Sequence, residues 1–214
     1  MMLTFGNKQI NSLDLQANSF AILIFYIVGT AMSKTKGLED ELGFYGMYHS
    51  QPMNQLIHFI FIPCIWWSAC VFMCYVPLLP LRILGRVDRI YNHTITWGTV
   101  LFLVYAIFYI RLDIITGGIT SMLLLLLYIQ ASSAVAAEKR DISFNESKDN
   151  KKNKKRKMSW FKFAFILHVL SWYMQIHPGH KIYEGVKPAL MDSLGQAFGV
   201  APMFAFLEGV WFMG

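Results

Sequence analysis

The stretch "LIHFIFIPCIWWSACVFMCYV", residues 56–76, carries no side chain that is charged at every pH near neutral. A helix needs about 20 such residues to cross the hydrocarbon core of a bilayer. Four segments are predicted as spans on this ground. They run from about Asn54 to Pro77, with Pro63 as a kink, from Thr94 to Ile110, from Gly117 to Ala137 through the run "LLLLL", and from Trp160 to Ile176. A fifth apolar stretch, Ala197 to Met213, includes Glu208 and is interrupted by Pro202, so it reads as a tilted span or a half-inserted helix. The shorter stretch Phe20 to Met32 follows a single basic residue, Lys8, and reads as an extra anchor or an interfacial helix rather than a cleavable leader.

The expected fold is therefore all-α, a polytopic membrane helical bundle with four to six apolar segments. Residues 1–37 form an N-terminal extension with room for the extra membrane segment. Residues 38–214 form one membrane-embedded domain with a polybasic loop at 138–158. Composition agrees: 55% of the 214 residues are hydrophobic, 15% are charged and mean hydropathy is +0.41, whereas soluble domains carry about 25% charged residues. The net charge of +6 is concentrated between Lys148 and Lys157, and without that run the chain is close to neutral. This pattern argues against a nucleic-acid partner and for a loop that sets topology or meets membrane lipids. Cys64, Cys70 and Cys74 all fall in the first span at spacings that suit neither a zinc site nor a disulfide framework, and they read as packing residues.

The basic residues orient the spans. Arg82, Arg86 and Arg89 lie between the first and second, and the lysine run between the third and fourth, so both loops share the cytoplasmic side. Parity then places His49 and His58, before and at the start of the first span, on the same opposite rim as His177, His180 and Glu184 at the end of the fourth. On an unbroken helix His49 and His58 would point opposite ways, nine steps of about 100° apart. Pro52 disfavours that continuity. The expected arrangement is a loop carrying His49, a break at Gln51-Pro52, and a helix whose first turns present Asn54 and His58.

On the C-terminal side, Pro178-Gly179 is a signal that ends the fourth helix between His177 and His180. His180 and Glu184, four apart, suit one face of a short helix that follows. Neutral imidazoles with a carboxylate nearby suit a non-haem iron centre. The candidate metal ligands are His49, His58, His177 and His180, with Asn54, Gln175 and Glu184 available to orient ligands or substrate. His168, deeper in the fourth span, is an alternative ligand or a hydrogen-bonding bridge between helices, and His93 is an interfacial side chain. No HExxH motif, desaturase-type histidine box, phosphate-binding glycine loop or GxSxG elbow is present.

Two blocks carry a family resemblance. "LGFYGMYHSQPMNQLIHFIFIP" and "WYMQIHPGHKIYEGVKPALMDSLGQAFGVAPMFAFLE" resemble the signature blocks of the yeast-type 2-hydroxy fatty acid dioxygenases, small endoplasmic-reticulum membrane proteins of phytosphingosine α-oxidation. The resemblance covers about Leu38 to Glu208. It implies an Fe2+-dependent dioxygenase that takes a long-chain 2-hydroxy fatty acid and O2 and shortens the acid by one carbon. It implies His49, His58 and His180 as iron ligands, with the hydroxyl and carboxylate of the substrate completing the set. His177 is a departure, because other members read Gln, two residues, then Gly-His. Pro188, Ala189 and Leu190 would shape the turn back to the last apolar segment. The competing expectation is a non-catalytic membrane scaffold or lipid-binding protein, in which the histidines are interfacial anchors.

Overall fold

A computed structural model of the chain describes residues 37–78, 95–147, 158–188, 191, 192 and 194–213, together with residues 19 and 22. The stretch Phe20–Met32 (except Ile22), the arginines at 82, 86 and 89, His93, the lysine run from 148, and Ala189 and Leu190 lie outside the described residues. The described part is helical: α1 (Leu38–Gly46), α2 (Pro52–Tyr75), α3 (Trp97–Leu112), α4 (Ile114–Ser147), α5 (Trp160–Met174), a π-helix (Gln175–Glu184) and α6 (Leu194–Met213).

Local chemistry sets the helix ends. Pro52 is the first residue of α2, where its missing N–H costs nothing, and Gln51 before it is extended, with φ −92° and ψ 127°. The helix continues through Pro63 to Tyr75. One residue, Asp113, separates α3 from α4. Its carboxylate accepts from the Thr116 backbone N–H at 2.7 Å and from its hydroxyl at 2.6 Å, serving the orphan donors of the α4 start.

Among the described residues two helices are long and apolar enough to cross a membrane, Pro52–Tyr75 and Ile114–Ile142. The sequence suggested at least four. The difference is one of length. Helix α3 has 16 residues and α5 has 15, about 24 Å of rise or less against a hydrocarbon core of about 30 Å. The apolar part of α6 is shorter still, Ala197–Val210.

Helix α2 lies at the centre. Trp66, Trp67, Cys70, Val71 and Cys74 pack there with Leu101, Tyr105 and Tyr109 of α3, Leu124, Ala131 and Val135 of α4, Ala164 of α5, and Met203 and Leu207 of α6. Cys70 and Cys74 are thus packing residues, and Cys64 is half-buried. Two tyrosines fix α6: Tyr105 Oη donates to the Phe198 carbonyl at 3.0 Å and Tyr109 Oη to the Gly199 carbonyl at 2.7 Å. The outer faces of α4 and α5 leave Ile119, Met122, Leu126, Phe165, Ile166 and Val169 exposed.

Candidate metal centre

The first block folds back on itself. Helix α1 ends at Gly46, and Tyr48 and His49 turn on backbone bonds from Tyr48 N to Tyr45 O and from His49 N to Gly46 O. Side chains of α2 then hold that turn: Asn54 Nδ2 donates to the Tyr48 carbonyl at 3.2 Å, and Gln55 Nε2 to the His49 carbonyl at 2.9 Å. The expected loop, break and helix are present, and the His49 and His58 rings come within 4.4 Å, nearly perpendicular.

The second block contributes the third imidazole. Pro178 and Gly179 do not end the helix; α5 continues into a π-helical stretch and stops only at Gly185, which has φ +73°. In a tight α turn the Pro178 ring would strike the carbonyl four residues back and would leave it without a donor. The wider π winding accommodates both demands. Such stretches are frequent at functional sites. His180 reaches inward, its ring 5.0 Å from both His49 and His58.

All three histidines are buried, and one ring nitrogen of each lies within 4.8 Å of the others. The tautomers follow from their partners. His49 Nδ1 lies 2.7 Å from the Tyr45 carbonyl and His58 Nδ1 2.9 Å from the Asn54 carbonyl. A carbonyl only accepts, so each Nδ1 carries the proton and each Nε2 keeps its lone pair. His49 Nε2 and His180 Nδ1 are buried with no hydrogen-bond partner among the described residues. Buried orphan nitrogens are uncommon. Three neutral imidazoles with free lone pairs fit a divalent transition-metal ion, and the backbone carbonyls behind two of them are the outer partners that orient such ligands.

Glu184 binds the two blocks together. It accepts from Ser50 N at 2.7 Å, Ser50 Oγ at 2.5 Å, Gln51 N at 3.1 Å and Asn54 Nδ2 at 2.9 Å. Partial burial alone would push its carboxyl upward, but these bonds outweigh burial and hold it below the ordinary glutamate range. Ser50 and Gln51 were not singled out from sequence, because their part is played mainly by backbone N–H groups. Gly179 sits where a Cβ would come 2.6 Å from Asn54 Oδ1 and 3.6 Å from His58 Cε1. Gly179→Ala is therefore expected to displace Asn54 from Glu184 and to weaken metal binding by about 10-fold or more. Calorimetric titration with Co(II) measures this, and unchanged affinity would contradict it.

The remaining candidates lie apart from the trio. His177 is half-buried and its ring stacks on Tyr173 at 5.4 Å. His168 uses both nitrogens: Trp172 Nε1 donates to its Nε2 at 3.0 Å, so its Nδ1 donates to Ser68 Oγ at 2.7 Å. That is a bridge between α5 and α2. Gln175 is buried, with its amide nitrogen unpartnered among the described residues. A cavity of about 90 Å³ opens between α2, α4 and α6, lined by Phe59, Ile62, Trp66, Leu124, Leu127 and Phe206. It starts at the residue after His58 and is almost wholly apolar.

Burial lowers the His49 pKa to about 3, against a smaller upward effect of the Tyr45 carbonyl, and burial lowers that of His180 as well. An unfolded histidine titrates near 6.5. Between these values the unfolded chain binds more protons than the folded one, so stability falls as pH drops from about 6.5 towards 3. Denaturation followed by fluorescence in the absence of metal is expected to give a lower midpoint at pH 5 than at pH 7.5; equal midpoints would contradict neutral buried imidazoles.

The helical chain thus brings three histidines from two distant blocks into one buried cluster that could hold a metal ion. The chain belongs to the Mpo1-like family, described as "2-hydroxy-palmitic acid dioxygenase Mpo1-like", whose profile matches residues 35–211. It is 32% identical over 178 residues to the 2-hydroxy-palmitic acid dioxygenase MPO1 of Saccharomyces cerevisiae, covering 83% of this chain and 82% of that protein. No solved structure matches it.

Proposed function

We propose that the protein is an Fe2+-dependent dioxygenase that shortens long-chain 2-hydroxy fatty acids by one carbon, as an integral membrane protein of the endoplasmic reticulum. The observation that carries this reading is the buried cage of His49, His58 and His180, with the lone pairs of His49 and His58 fixed by backbone carbonyls, in a chain that shares most of its length with a 2-hydroxy-palmitic acid dioxygenase. These three would hold the ion. When bound, the iron supplies the Lewis acidity and redox chemistry that O2 activation needs.

The chain's own residues do the rest. Three protein ligands leave positions for the 2-hydroxyl and carboxylate of the acid and for O2. His49 and His58 keep their nitrogens aimed at one point because Tyr45 and Asn54 hold the opposite ring edges. Glu184, Asn54 and the Ser50 and Gln51 amides lock the rim over the cage. The apolar cavity beyond Phe59 suits the first methylene groups of the tail. The remainder of the acyl chain would lie along the exposed apolar faces in lipid. A site at the ends of membrane helices suits a molecule whose head is polar and whose tail is not. The shorter helices α3, α5 and α6 would complete a polytopic bundle by tilt and local thinning of the bilayer.

The test is O2 uptake by purified, iron-loaded protein in lipid nanodiscs with 2-hydroxypalmitic acid, with the product identified by mass spectrometry. A pentadecanoic acid product that depends on iron and O2 supports the reading. No consumption of the 2-hydroxy acid by iron-loaded protein would remove it.

A further inference from the structure

Glu208 stands out among the buried polar side chains. It is 4% exposed, within the apolar stretch Ala197–Val210 of α6, and neither carboxylate oxygen has a hydrogen-bond partner among the described residues. Glu184, by contrast, has four donors on its two oxygens. An uncompensated carboxylate away from water is among the more costly groups a fold can hold, and buried charges are ordinarily paired or bound to a metal.

Its neighbours on α6 lie against the residues of the histidine cluster. One turn earlier on the same helix face, Phe204 packs against the His49 ring at 5.6 Å and against Tyr45 at 4.3 Å, and Tyr45 is itself stacked on His49 at 4.1 Å. One residue later, Gly209 lies so close to Phe59 that a Cβ there would come 2.2 Å from its ring, and Phe59 follows His58 directly. Glu208 is thus bracketed by contacts to the neighbours of two cage histidines, on the wall of the site that α6 closes. Three neutral imidazoles contribute no charge against a divalent ion. Glu184 at the rim contributes one negative charge, and Glu208, once ionised beside a bound ion, would contribute a second.

We propose that Glu208 is the carboxylate counter-charge of the cage, a positioning residue whose buried charge becomes matched when a divalent ion occupies His49, His58 and His180. This rests on the reading of the trio as a metal centre. It makes two expectations of opposite sign. Without metal, Glu208 burdens the fold as an unpartnered buried carboxyl group, so replacing it leaves the protein at least as stable. With metal, the same change weakens binding. A residue that served packing alone would give destabilisation in the first case and no change in the second.

The experiment titrates Co(II), and separately Fe(II) under anaerobic conditions, into the purified full-length protein and its Glu208→Gln variant, with melting temperature recorded with and without metal. The expected result is about one ion per parent chain, binding about 10- to 100-fold weaker in E208Q, and a metal-free melting temperature for E208Q no lower than that of the parent. Glu208→Leu gives a second route that avoids a buried amide. It is expected to melt no lower than the parent without metal and to gain less on metal addition. Equal metal affinity in parent and variants overturns the role of Glu208 and leaves the metal centre intact. Variants that melt lower without metal while binding it as the parent does make Glu208 a packing residue. A parent that binds no ion removes the metal-centre reading and this inference with it.

Discussion

His58→Ala is expected to yield a folded protein that no longer retains iron and no longer consumes a 2-hydroxy fatty acid. Three features make His58 the most telling member of the trio. It is 2% exposed, it stands on the first turns of the central helix α2 rather than on a loop, and its Nδ1–H is fixed by Asn54 O. The alanine removes a ligand whose direction was set before the metal arrived, so binding is expected to fall by more than about 100-fold, beyond what loss of an outer partner does. The rest of α2 packs through Trp66, Trp67, Cys70 and Val71, which are two or more turns away. The helical circular-dichroism signal should therefore persist. Iron content by mass spectrometry, read beside that signal, separates loss of the site from loss of the fold. Retained stoichiometric iron in a folded His58→Ala protein would contradict the assignment.

Gly117→Ala carries the largest expected effect on the fold itself. A Cβ at Gly117 would lie 2.0 Å from the Tyr109 carbonyl oxygen and 2.4 Å from its carbonyl carbon. Both are backbone atoms of α3, and no rotamer change can clear them. One residue, Asp113, joins α3 to α4, so the two helices cannot part without disturbing that cap. Tyr109 in turn fixes α6 through the Gly199 carbonyl. Overpacking of this kind costs about 3 kcal/mol or more, a fall of about 10 °C in melting temperature for a chain of this size. The neighbouring Gly118 is the internal control. A Cβ there meets nothing within 4 Å, and Gly118→Ala is expected to be neutral or stabilising by up to about 1 kcal/mol, through helix propensity alone. Equal melting temperatures for the two variants would show that the close α3–α4 approach is not as described.

Much of the candidate site was legible because its determinants are local. Pro52 and the residue before it dictate a break, and the break is what brings His49 back over His58. Parity of four apolar runs was the ground for expecting the second block beside the first; the histidines do converge, although only two described helices are long enough to span. The runs read as the second and fourth spans, 94–110 and 160–176, match helices of 16 and 15 residues, so the shortfall against a bilayer was already present in the runs. The Pro178-Gly179 pair was read as a stop because proline cannot continue an α-helix, and a wider winding is invisible to a rule written for 3.6 residues per turn. The same change explains why His177 and His180 part company. Residues three apart share a face of an α-helix, but the π winding turns one toward the cage and the other toward Tyr173. Glu208 was visible as a carboxylate in an apolar run. Its burial was not, because that depends on α6 docking beside α2 and α1, which lie more than 100 residues earlier in the sequence.

The measurement that tests the central claim most directly is the iron stoichiometry of the purified protein, taken with O2-dependent loss of a long-chain 2-hydroxy fatty acid, for the parent and for His49→Ala, His58→Ala and His180→Ala separately. The account predicts about one iron per parent chain, a product one carbon shorter, and loss of both in each single variant. Iron binding and turnover that survive in any one of the three folded variants would contradict a cage built from His49, His58 and His180.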